Sequence, residues 1–174
     1  MPPILQPCRP QPRATPSLRG AGFAMMEIVI ALAIIGILAT IAVPSILDHL
    51  VREQIVSALP LADIVKAPIA QSWATAQTFP ADNTAAGLPP AEKIVNNYIS
   101  AVSVNNGAID ITFGNNAGGG VQGKILTLRP AIVPDAPIVP VAWVCGNASV
   151  PGQMTVMGEN HTNVAPNYLP SDCR

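Results

Sequence analysis

Glu27 is the first acidic residue of the chain, and it stands at the front of an apolar run, Phe23 to Leu47, with Gly22 just before it. From Ile28 to Leu47 there are twenty residues without a charge, the length a helix needs to cross the hydrocarbon core of a bilayer. An acidic group in the middle of such a helix costs roughly 2.5 to 3.5 kcal/mol on insertion scales, so a carboxylate kept at its edge reads as one half of an ion pair. Its chemistry is the capture of a cation.

The remaining reactive residues are sparse. Cys145 and Cys173 have 27 residues between them, and Cys8 lies near the N-terminus. In an oxidising compartment the first two should bond, stabilising the fold by about 3 to 4 kcal/mol on the chain-entropy estimate; the alternative is two free buried thiols. His49 and His161 are far apart and have no Cys, Asp or Glu at ligand spacing, so both are expected at the surface without a metal. No nucleophile, base and orienting group stand at recognisable spacing, which argues against an enzyme or a cofactor. Asn147-Ala148-Ser149 and Asn160-His161-Thr162 match a glycosylation sequon, a match that Asn/Ser/Thr-rich loops produce freely. Gly118-Gly119-Gly120 precedes no helix and reads as a flexible loop. Lys124, Arg129 and Arg174 give nucleic acid only slight support as a partner.

The elements that must position these groups follow from charge and period. Arg9, Arg13 and Arg19 are the charges before the apolar run, so the N-terminus should stay in the cytoplasm and everything after Leu47 should be exported. Without the first 22 residues, six basic residues face ten acidic ones, a formal charge of −4. Residues 1–22, proline-rich and free of acids, read as a leader that is removed, or as an uncut cytoplasmic tail. Residues 23–47 form the hydrophobic transmembrane helix. Leu47, Val51, Ile55, Ala58, Ala62, Val65, Ile69 and Trp73 then continue as one stripe at helical spacing, extending the helix amphipathically over 48–80. Pro44, Pro60 and Pro68 should bend it, and Pro60 or Pro68 could break it.

Beyond Phe79-Pro80 the period changes. Tyr98 to Val104 and Ile109 to Phe113 read as a hairpin about Asn105-Asn106-Gly107, because Asn and Gly tolerate the positive φ of a tight turn. Val121 to Arg129 and Val139 to Cys145 read as two more strands. The fold class is α+β: a long N-terminal helix on a four-stranded antiparallel sheet, with a head over 81–174 that ends in a disulfide-bounded loop.

Gly22-Phe23-Ala-Met-Met-Glu27, followed by Ile34 to Pro44, closely resembles the N-terminal segment of type IV pilins. Phe79 to Asn83 and the ending Asn167-Tyr168-Leu169-Pro170-Ser171-Asp172-Cys173-Arg174 look like the major pilins of the type IVa class. The resemblance implies a precursor in the inner membrane that prepilin peptidase cuts between Gly22 and Phe23 and methylates on the new amine of Phe23. It implies that Glu27 serves assembly, that Gly36 and Pro44 mark weak points of the helix, and that Cys145 and Cys173 enclose a surface loop. The implied partners are further copies in a helical filament, an assembly platform and minor pilins. The implied end is an extracellular pilus for adhesion, twitching motility and DNA uptake. The rival readings are a minor pilin acting as adhesin or DNA receptor, and a type II secretion pseudopilin.

Overall fold

The computed structural model describes residues 25–174, apart from the side chains of 42–47. The leader, Gly22, Phe23 and the side chains of Pro44 and Leu47 therefore lie outside the described residues. These fall into two compact units divided between Thr40 and Ile41, each taken here by itself.

Helix α1 runs Met25–Ala76. In its first part, Met25 to Ile41, large apolar side chains stand exposed on every side, from Ile28 at 49% to Met25 at 85%. Among the described residues no helix is long and apolar enough to cross a membrane. The described side chains of the apolar run stop at Ile41, short of the twenty-residue stretch.

In the second unit the expected stripe is the face that α1 lays on the sheet: Ile55, Ala58, Ala62, Val65 and Ile69 are all fully buried, and Val51 packs beside them. Small residues at 58 and 62 let the helix backbone approach the strands closely. Neither Pro60 nor Pro68 breaks the helix. The end comes at Ala76, before the expected Phe79-Pro80, because Gln77 takes a left-handed φ of 53° while its amide bonds to the Trp73 carbonyl. The chain turns back and stacks Phe79 on Trp73 with ring centres 5.1 Å apart.

The sheet follows. β1 (Ile99–Asn105) and β2 (Ala108–Phe113) form the expected hairpin, with Asn106 and Gly107 both at positive φ. β3 (Ile125–Ile132) pairs β2, and β4 (Ala142–Cys145) pairs β3, all antiparallel in the order β1-β2-β3-β4. A two-residue fifth strand, β5 (Thr155–Val156), pairs the end of β3 and was not anticipated.

Three boundaries differ from expectation. β3 begins at Ile125 instead of Val121, since Val121, Gln122 and Lys124 donate their amides within a turn over 118–124. It runs on through Pro130, which lies beyond the pairing with β2, stands opposite Trp143 of β4, and accepts the Met157 amide at its carbonyl. β4 begins at Ala142 instead of Val139, two residues after Pro140. The Gly118-Gly119-Gly120 stretch belongs to that turn and is tied to α1: the Gly118 amide donates to Gln54 Oε1 at 2.8 Å.

Candidate assembly surface and disulfide-bounded loop

The residues that the resemblance links to assembly lie on α1. Glu27 is the acidic residue of its first turn and is exposed, where a helix N-terminus favours negative charge. Gly36 lies within the exposed apolar stretch, and a Cβ placed there would meet nothing within 4 Å. Its glycine therefore answers to no packing need inside one chain, while it does lower local helix propensity by about 1 kcal/mol relative to Ala. Pro44 falls in α1, where it removes one backbone donor. Further along, Leu50, Val56 and Ile64 leave apolar surface of α1 exposed. Leu50 lines two shallow recesses, one shared with Tyr98 and the other with Gly118 to Gly120 and Tyr168.

Cys145, the last residue of β4, is bonded to Cys173, with Cα atoms 4.5 Å apart. The two-free-thiols alternative is thereby set aside. Cys173 is buried, and the amide of Asn147 donates to its carbonyl. Arg52 reaches from α1 to the same region, donating to the Asn167 carbonyl at 2.7 Å.

His161 departs from the expectation of a free surface residue, while His49 is exposed beside Glu53. His161 Nδ1 lies 2.7 Å from Oδ2 of Asp110, a buried residue of β2. The other Asp110 oxygen accepts from Thr127 Oγ1 at 2.7 Å. The hydrogen bond to Asp110 and the attraction of its carboxylate hold the His161 ring above its ordinary pKa, with Glu159 adding to the effect and burial opposing it. The two partners are 51 positions apart, and no local signal could have joined them.

Of the residues read as candidate binding groups, Arg129 donates to the Gly146 carbonyl and Arg174 to the Leu169 carbonyl, while Lys124 is exposed. In the second sequon, the Asn160 side-chain amide is engaged by Gly146 and Asn147. Asn83, in the stretch that carries part of the resemblance, is a buried anchor: its side chain bonds to Pro89, Val102 and Val104.

A helix with its first part bare and apolar, its second part closing a small antiparallel sheet, and a cross-linked C-terminal loop define a self-assembling structural subunit. Residues 51–174 match the model of the pilin family of bacterial filaments, and the chain belongs to that family. It is 33% identical over 161 residues to a type IV major pilin protein, PilE1, of Neisseria gonorrhoeae, covering 88% of this chain and 86% of that one. A fimbrial protein, EcpC, of Eikenella corrodens is also 33% identical, over 156 residues, covering 88% of this chain and 90% of the relative. A type IV major fimbrial protein, FimA, of Dichelobacter nodosus is 33% identical over 125 residues, 64% of this chain and 78% of its own. The chain is thus a structural pilus subunit of the type IV kind, in a family of filament proteins and not of enzymes. Its place is the extracellular pilus, among other pilin subunits.

Proposed function

We propose that this chain is made as a prepilin, cut between Gly22 and Phe23 by prepilin peptidase, methylated at Phe23, and held in the inner membrane by residues 23–47 until it is drawn into the filament. One observation carries the reading. The first part of α1 presents apolar side chains all round, with Glu27 as the acid of its first turn. Such a surface is stable only in lipid or against similar helices. After the cut, the amine of Phe23 lies at the helix N-terminus, and Glu27 of the same or a neighbouring subunit can neutralise it. N-methylation keeps the charge.

At an effective dielectric constant of 20 and a separation of 4 Å, that attraction is on the order of 4 kcal/mol. Filament growth then pairs two charges that lipid leaves apart. Gly36 and Pro44 supply a stretch of α1 with weaker hydrogen bonding that can adjust as subunits pack. The assembled filament serves adhesion and twitching motility, with the assembly platform and minor pilins as partners. Kinship to major pilins supports a main-shaft subunit over a minor pilin or a secretion pseudopilin. DNA uptake has the least support, since Arg129 and Arg174 already bind backbone carbonyls.

The test is a mass spectrum of the protein from sheared filaments. It should begin at methylated Phe23 and lack two hydrogens relative to the reduced form. An intact Met1 in those filaments overturns the processing.

A further inference from the structure

β4 covers the outer edge of β3 only from Leu128 to Ala131. In the part before it, Ile125 to Thr127, the Thr127 carbonyl accepts the Gly146 amide just past β4, and the remaining groups are closed in another way. The Ile125 amide donates to Asn163 Oδ1 at 2.6 Å, and the Asn163 amide donates back to the Ile125 carbonyl at 3.0 Å. The Thr127 amide donates to Thr162 Oγ1 at 3.0 Å, and the His161 amide donates to Thr127 Oγ1 at 3.0 Å. The side chains of Thr162 and Asn163, with the backbone amides of His161 and Asn163, thus stand where a neighbouring strand would stand. A strand edge left open invites pairing with another chain, so this cover has a protective role.

Only one of these fastenings can change charge near neutral pH. The His161 ring is bound to Asp110 from β2 and lies 3.6 Å from Glu159 of its own segment; Arg129 on β3 is turned to the Gly146 carbonyl, and β4 carries no charged residue. When the ring gives up its Nε2 proton to solvent, Nδ1 keeps its hydrogen and its bond to Asp110. The bond to the buried Asp110 carboxylate then keeps its N–H donor but loses the cation, so the ion-pair attraction goes and a hydrogen bond from a neutral ring remains. The attraction to Glu159 disappears with it.

We propose that residues 159–163 form a pH-dependent strap over the edge of β3, fastened in acid by the His161 imidazolium on Asp110 and loosened when that ring loses its proton. The surface between the two cysteines is accordingly stiffer in acid than in mild alkali. The strap stands on hydrogen bonds within the head and does not depend on how subunits assemble.

The test is amide hydrogen exchange by NMR on the full chain in detergent micelles, expressed as protection factors so that intrinsic pH dependence cancels. Protection at Thr127 and Ile125 should fall about tenfold as pH rises from about 6 to about 9, the scale on which a hydrogen bond between charged groups exceeds one that has lost a charge. The Val104 amide, held by Asn83 outside the strap, should stay level. The fall should coincide with the titration of the His161 ring followed in the same samples. His161→Gln keeps a donor without a charge and should leave Thr127 poorly protected at every pH. Should that variant fold badly, Glu159→Gln, at an exposed position, should move the whole transition to lower pH. A level Thr127 profile in the wild type, a fall that does not follow the ring, or a transition unmoved by Glu159→Gln overturns the proposal.

Discussion

Asn83 Oδ1 accepts the Val104 amide at 2.6 Å, and the amide group of the same side chain donates to the carbonyls of Val102 and Pro89 at 3.0 Å each. One buried side chain thereby satisfies the open edge of β1 and pins the loop that follows α1. Replacing it by alanine strands an N–H and two carbonyls. Asn83→Ala should destabilise the head by about 2 to 4 kcal/mol, the range for several buried groups left without partners. Urea unfolding would measure the loss, and a change under about 0.5 kcal/mol, the scale of ordinary surface substitutions, would refute the anchoring role.

Gly107 stands under equally strict demands. Its φ is 86°, and a Cβ there would lie 2.7 Å from atoms of Phe79. Gly107→Ala should therefore cost about 1 to 2 kcal/mol for the left-handed backbone alone, with the clash added. Phe79→Ala removes the ring carbons that a Cβ at 107 would meet at 2.7 and 2.9 Å, keeps the Phe79 Cβ contact, and leaves the backbone strain. In a double-mutant cycle the cost of Gly107→Ala should be smaller on the Phe79→Ala background; equal costs would show that the contact is irrelevant.

These two residues mark the boundary of what the sequence makes legible. The hairpin at Asn106-Gly107 could be read because the turn requires positive φ at both positions and both residue types supply it. The buried stripe from Ile55 to Ile69 could be read because a helix repeats every three or four residues. Asn83, and the joining of His161 to Asp110, could not. Each is a side-chain bond between segments distant in sequence, and polar residues in loops carry no period to expose them. The start of β3 differs from the sequence expectation for a related reason: Val121 has the β-branched shape of a strand residue, but its backbone amide belongs to the turn after Gly118. The exposed first part of α1 is legible as an apolar run with one acid.

The disulfide between Cys145 and Cys173 closes a loop whose ends are 28 positions apart. Loop-closure entropy gives about 3 to 4 kcal/mol of stability for a loop of this size. Replacing both cysteines by serine should lower the unfolding free energy by that amount. Because the strap bonds of Thr162 and Asn163 lie within the loop, part of its structure should survive. Comparing denaturant midpoints of oxidised wild type and the double variant would check the first point, and retained protection at Thr127 the second.

The pH dependence of global stability has a definite sign. The His161 ring in the folded head has a pKa above the ordinary value of 6.5, so folding is favoured by its protonation. That contribution is fully present below 6.5 and is lost as pH rises through the folded value. Urea midpoints should decline across this window in the wild type and decline less in His161→Gln. A midpoint that rises there in the wild type and not in the variant would reverse the assigned sign.

Glu27 offers the clearest separation between folding and assembly. It lies in the first turn of α1, in the unit that ends before Ile41, so its loss should leave the sheet, the strap and the disulfide intact. What it removes, on the proposed reading, is a charge partner for the amine of a neighbouring subunit. With an attraction on the order of 4 kcal/mol at stake, and each 1.4 kcal/mol worth a factor of about ten, filament yield should fall at least tenfold in Glu27→Ala. Total protein in the membrane fraction should stay level. Glu27→Gln is the sharper variant, because it keeps size and hydrogen bonding and removes only charge. Sheared filaments from Glu27→Gln cells in wild-type amounts would show that helix packing alone drives growth; depletion equal to that of Glu27→Ala would locate the driving force in the ion pair.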